Sequence, residues 1–167
     1  MSRNSIVHKN GLILLIVLAV CTTIIYIFIS EKEYKDSITK LEMASETCNL
    51  ETIKSLMENN ISIGEKALSY AAREGCLEII KFLVEKGVDV NAANKFKWTA
   101  LHSAADKGYL EIVAFLLENG ANPNINDSNG KKPRRIAVMA SRHNKDKPYD
   151  EIISLLYDAE QSYKHEK

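Results

Sequence analysis

The chain opens on an uninterrupted apolar run and then changes period. Residues Gly11 to Ser30, GLILLIVLAVCTTIIYIFIS, carry no charge. At about 1.5 Å of helical rise per residue such a stretch crosses the roughly 30 Å hydrocarbon layer of a bilayer, so it predicts a single transmembrane helix. Beyond it the apolar positions recur at helical spacing in short bursts. Leu68, Ala71 and Ala72 fall on one face of a short helix that Gly75 ends, and Ile79, Ile80, Leu83 and Val84 form the stripe of a second helix that stops at Gly87. Leu101, Ala104, Ala105 and Gly108, then Ile112, Val113, Leu116, Leu117 and Gly120, write the same pattern again.

The second writing is a copy of the first. Ala67–Asn91 laid over Ala100–Asn124 matches at 13 of 25 positions with an offset of 33 and no gap, where average residue usage would give roughly one or two matches. A period of that length marks stacked helical pairs, because one pair cannot bury its apolar faces without neighbours. Two outer units follow from their second helices. Leu50–Glu58 lies 27 residues before Leu77–Glu85, which implies a shortened loop around Ile61 to Glu65. The last unit starts on register at Lys132–Ala137, but its second helix, Tyr149 to Ala159, comes about seven residues late, after a polar insertion at Ser141 to Pro148. The polar Arg134, Arg135 and Arg142 suit the solvated edge of a stack. The expectation is an all-α solenoid of about four repeats over residues 37–161, the outer two degenerate caps. Before it come a short arm (1–10), the transmembrane helix (11–30) and a linker (31–36); a tail (162–167) follows.

Thr99-Ala100-Leu101-His102-Ser103-Ala104, followed by Gly108 and by Leu116-Leu117-Glu118-Asn119-Gly120-Ala121-Asn122-Pro123-Asn124, resembles the ankyrin repeat. The unit before it departs from that pattern, with Lys66-Ala67-Leu68-Ser69 where threonine, proline, leucine and histidine are usual. The resemblance implies that His102 braces the loop by hydrogen bonding, and Thr99 is read as a helix N-cap.

Charge sharpens the division of the chain. There are 22 basic and 22 acidic residues; residues 1–30 hold only Arg3 and Lys9 and no acid, which leaves 20 − 22 = −2 for the rest. A balanced chain of this kind argues against nucleic acid as a partner. Lys131-Lys132-Pro133-Arg134-Arg135 is basic, but it falls where the last repeat begins and its proline suits a first helical turn. No GxSxG, GxxxxGK, HExxH or GxGxxG motif occurs, and His8, His102, His143 and His165 are scattered. The expectation is a protein that is not an enzyme, without cofactor, metal or small-molecule substrate. Cys48 and Cys76 lie at the inter-helix turns of adjacent units. Neighbouring repeats stack about 10 Å apart, beyond the about 7 Å that a disulfide tolerates between Cα atoms, so two free thiols are expected.

Arg3, Lys9 and the terminal amine flank the apolar run on one side, against Lys32 and Lys35 mixed among acids on the other. Basic arms tend to stay cytoplasmic, which puts the N-terminus inside and the repeats outside the cytoplasm, in the periplasm if the source is bacterial. Leu18-Ala19-Val20-Cys21 resembles a lipoprotein cleavage box, but Val20 stands where a small residue is wanted.

The function read from this layout is membrane-anchored binding of another protein. In the ankyrin resemblance, contacts come from finger tips and the exposed sides of first helices. Lys95, Phe96 and Trp98 occupy a finger, with Lys97 where a glycine is usual, and the 33-residue offset adds Tyr70, Arg73 and Glu74 from one first helix and Ser103, Asp106 and Lys107 from the next. Trp98 has a second reading, folded onto the neighbouring finger as a cover. Small bacterial ankyrin proteins of this layout resemble toxin-neutralising or envelope-enzyme-supporting factors. The alternatives are a membrane-assembly protein acting through its transmembrane helix, and an enzyme built from Cys48, Cys76 and the 141–148 loop.

Overall fold

The computed structural model describes residues 3–59 and 64–165, the side chains of 3–21, 25, 59, 164 and 165 excepted. Among the described residues eight helices run in order: α1 (Arg3–Glu46), α2 (Leu50–Asn59), α3 (Gly64–Glu74), α4 (Leu77–Glu85), α5 (Ala100–Lys107), α6 (Leu110–Glu118), α7 (Pro133–Ala140) and α8 (Tyr149–His165). The chain forms two compact units, Met1–Thr39 and Lys40–Lys167.

In the first unit, residues 31–36, expected to be a linker, are helical and part of α1. The expected membrane span Gly11 to Ser30 lies outside the described side chains over 11–21 and at 25, and so does Cys21. Among the described residues no helix is long and apolar enough to cross a membrane.

The second unit is built in two layers. First helices α3, α5 and α7 lie side by side in one row, and second helices α2, α4, α6 and α8 make successive contacts in the other. The alanines permit this: Ala71, Ala72, Ala104, Ala105 and Ala137 are buried completely, so backbones approach closely where a longer side chain would hold them apart. Leu68, Leu101 and Ile136 from the first row meet Ile79, Ile80, Leu83, Ile112, Val113, Leu116, Ile152 and Leu156 from the second to make the core. Val84 and Leu117, expected in the stripe, are only half-buried. Helix α8 continues to His165, beyond the expected stop at Ala159.

The strong repeat starts as its sequence implies. The Thr99 hydroxyl accepts the His102 backbone N–H, and the His102 ring accepts the Thr99 N–H, a reciprocal cap that satisfies two donors at the start of α5. Pro133 occupies the first turn of α7, where its missing N–H costs nothing.

The cysteine expectation is overturned. Cys48 and Cys76 form a disulfide, with Cα atoms 5.4 Å apart. The error lay in treating them as equivalent positions one stack spacing apart. Aligning the second helices at Leu50, Leu77 and Leu110 makes Cys48 the counterpart of Gly75 and Gly108, all three at positive φ, whereas Cys76 is one residue further along and precedes α4. The bond therefore runs diagonally across the joint. The second and third joints fill the same diagonal with other groups: the Tyr109 ring lies against Gly75, and Lys147 and Tyr149 lie against Gly108.

Candidate functional site

The finger between the two strong repeats is organised around one side chain. Asn94 Oδ1 accepts the backbone N–H groups of Phe96 at 2.9 Å and Trp98 at 3.1 Å. One repeat later Asp127 Oδ1 accepts those of Asn129 and Lys131, both at 2.8 Å, with the same i+2 and i+4 spacing. Each finger is thus a turn closed by its own leading Asx residue. The fingers are tied to each other by the Ser128 N–H donating to the Phe96 carbonyl at 2.9 Å. Below them, Asn91 donates from Nδ2 to the Gly120 carbonyl and accepts the Asn122 N–H at 2.7 Å.

This frame, with α3 and α5, encloses a groove of about 1130 Å³. Its walls include Lys95, Phe96, Trp98, Tyr70, Arg73, Ser103, Asp106 and Lys107, so eight of the nine residues singled out from the sequence share one surface. The ninth, Glu74, is outside the lining and accepts from Arg73 Nε at 2.6 Å. Phe96 is 58% exposed, with the Lys95 ammonium 5.1 Å from its ring centroid. The Arg73 guanidinium lies 5.0 Å from the Tyr70 ring, and the Tyr70 hydroxyl donates to Glu42 at 2.6 Å. The Lys107 ammonium is 3.4 Å from Asp106.

Trp98 lines the groove but is not folded onto the neighbouring finger. It is half-buried, its Nε1 donates to Ser103 Oγ at 3.0 Å, and its ring centre is 5.2 Å from that of His102. It braces the first turn of α5, its own repeat's helix, and presents the rest of its ring to the groove. Ser103 is 95% buried beneath it, a partner more than a contact.

Under the finger, His102 Nε2 is 3.2 Å from the Lys131 carbonyl and Nδ1 is 2.8 Å from the Thr99 hydroxyl. A carbonyl can only accept, so Nε2 carries the proton and Nδ1 accepts, the neutral tautomer. Burial pushes the His102 pKa below its ordinary 6.5, outweighing the Lys131 carbonyl and the Asp127 charge, which act upward. Burial would raise the Asp127 pKa, but the N–H groups of Lys131 and Asn129 and the nearby His102 and Lys131 hold it below its ordinary value. Both groups serve the frame, and no substrate-facing proton is assigned to either.

Sequence reasoning missed several residues here. Glu42 reaches Tyr70 from 28 positions away, a pairing with no local signature. Tyr149 donates its hydroxyl to the Asp106 carbonyl at 2.7 Å, and Lys147 bonds the Lys107 carbonyl and covers the Tyr109 ring, so the end of the polar insertion is tied to the last turn of α5. The pairing of Asn94 with Asp127 was available: extending the 33-residue offset three positions past Asn91 and Asn124 aligns them.

Comparison with known proteins agrees with this architecture. The family model for ankyrin repeats (three copies) matches residues 41–127 and 68–164. An ankyrin repeat protein of Acanthamoeba polyphaga mimivirus is 41% identical over 54 residues, 32% of this chain and 18% of that protein. The NAD-capped RNA hydrolase NUDT12 of Homo sapiens and that of Macaca fascicularis are each 39% identical over 69 residues, 41% of this chain and 15% of theirs. The chain spans less than a fifth of the length of these relatives. With helical pairs at a 33-residue step, capped and joined as described, and a family model matched over most of its length, this chain belongs to the ankyrin-repeat family, whose repeats make protein-interaction modules.

Proposed function

We propose that this protein is a membrane-anchored binding module that holds or inhibits a partner protein in the groove between its fingers and the helices α3 and α5. The observation that carries the reading is the exposure of Phe96 on a wall shared with Trp98, Tyr70 and Arg73. An aromatic ring left in water on a rigid loop is costly unless a partner covers it, and aromatic and arginine side chains dominate binding energy at interfaces. The partner expected is a folded protein or an exposed loop that offers an apolar group to Phe96 and charges of both signs to the rim. An immunity-like role, occlusion of a toxin's working surface, is the inhibitory form of this reading.

The anchor is assigned to Gly11–Ser30 on its apolar length, with the N-terminus cytoplasmic and the repeats across the membrane. The Cys48–Cys76 bond supports that side, since disulfides persist in oxidising compartments and are rare in the cytosol. A reporter active only outside the cytoplasm, fused after Lys167, is expected to be active; inactivity there reverses the topology.

The binding site is tested by affinity capture with wild type and a Phe96→Ala, Arg73→Ala variant, both side chains being exposed so that the fold persists. Capture of the partner retained by wild type is expected to fall by about tenfold or more, the equivalent of one moderate hot spot. Equal capture by both would place the interface elsewhere. Exchange of residues 11–30 for an unrelated apolar helix should leave capture intact; its loss would favour action through the membrane helix.

A further inference from the structure

The two ends of the Cys48–Cys76 bond are unlike. Cys48 is exposed, on a turn with a φ of 50°, whereas Cys76 is 3% exposed and its Sγ lies 3.0 Å from the Ser45 carbonyl oxygen. Thiol–disulfide exchange requires a thiolate to reach one sulfur, so access decides which sulfur is attacked and which leaves. Once released and protonated, the Cys76 sulfur has the Ser45 carbonyl beside it as an acceptor for its S–H. The other two joints of the stack hold the same diagonal with side chains laid on Gly75 and Gly108, which no thiol chemistry can open.

We propose that this bond is an exchangeable clamp on the first joint of the stack, with Cys48 the attacked sulfur and Cys76 the leaving and re-closing one. In the opening step an external thiolate, from a low-molecular-weight thiol or a dithiol oxidoreductase, bonds to Cys48 Sγ as the Cys48–Cys76 bond breaks. Cys76 departs with the electron pair, takes a proton from solvent, and donates its S–H to the Ser45 carbonyl. A second thiolate then attacks the external sulfur of the mixed disulfide and releases Cys48 as a thiolate. The net change is two external thiols oxidised to one disulfide and one protein disulfide reduced to two thiols. Closing is the reverse: an external disulfide yields the mixed disulfide at Cys48, and the Cys76 thiolate displaces the external thiolate.

Opening loosens residues 40–59 from α3 and α4. The ties that remain across the joint include the burial of Leu41, Ala44 and Ile53 and the hydrogen bond from Tyr70 to Glu42. Through Glu42 the change reaches Tyr70 on the groove wall, so the clamp couples the redox state of the surroundings to one end of that surface.

The test uses the full chain in detergent micelles. After brief exposure to reduced glutathione and acid quenching, peptide mass spectrometry is expected to find the adduct on Cys48 over Cys76 by about tenfold or more; equal adducts, or a preference for Cys76, overturn the assignment. On full reduction, amide exchange in residues 40–59 is expected to speed by about tenfold or more while that in 100–124 holds; unchanged exchange in 40–59 overturns the clamp. Cys48→Gly keeps the left-handed turn, as Gly75 does, and removes the bond. It is expected to show fast exchange in 40–59 with or without reductant, and slow exchange there overturns the proposal.

Discussion

Lys97 occupies a finger position whose backbone its side chain resists. Its φ is 55°, and its counterpart one repeat later is Gly130 at 71°. A left-handed conformation costs an ordinary residue about 1–2 kcal/mol, part of which glycine gives back through its greater freedom in the unfolded chain. Lys97→Gly is therefore expected to stabilise the fold by about 0.5–1 kcal/mol, read as a raised midpoint in urea unfolding. His102 sets a pH dependence. Because its pKa in the fold lies below the ordinary 6.5, the unfolded chain takes up this proton first. The fold holds its full His102 contribution above about pH 6.5 and loses it as pH falls through the lower, folded value. Asp127 acts further down, its contribution complete above its ordinary 3.8 and lost as pH falls through its depressed folded value. His102→Asn is expected to be less stable at neutral pH yet to flatten the fall of stability between pH 7 and 5. An unaltered slope would show that His102 does not carry it.

At the scale of elements, two kinds of contact recur along the stack besides the Cys48–Cys76 bond of the first joint. Between helices the contact is apolar and close, through alanine and leucine; between fingers it is a short list of hydrogen bonds to backbone groups that would otherwise lack partners. Asn91 serves two of these, the Gly120 carbonyl and the Asn122 N–H. Each such bond contributes about 0.5–1.5 kcal/mol net, so Asn91→Ala is expected to cost about 1–2 kcal/mol in urea unfolding with α4 and α6 otherwise undisturbed. The repeat offset made the helices and their buried faces readable, because a packed face must recur in every unit. Trp98 was harder to place: one polar group near its ring, Ser103, turns it onto its own repeat's helix instead of the neighbouring finger, and a chain pattern carries no trace of that choice.

For the repeat unit as a whole, stability is distributed along a line of neighbour contacts, so damage stays near its source. Ile152 is fully buried on α8, the second helix of the final repeat. Ile152→Ala removes about 2–5 kcal/mol of packing, and amide exchange is expected to rise first in α7 and α8 while α3 and α4 keep their protection. Simultaneous loss across all helices would mean that the stack unfolds as a single cooperative body.

Periodicity alone determined that this chain makes stacked helical pairs, where the helices of the two matching repeats lie, and which of their alanines face inward, since those features follow from local geometry repeated every 33 residues. The same register brought eight of the nine residues it singled out, all but Glu74, onto the groove wall, because equivalent positions must line up along a stack. Only the folded chain decided the diagonal bond between Cys48 and Cys76, the reach of Glu42 to Tyr70 and the return of Lys147 and Tyr149 over Gly108. Each joins residues at inequivalent places in different repeats, and such meetings depend on how far one unit turns against the next, a quantity that no local pattern encodes.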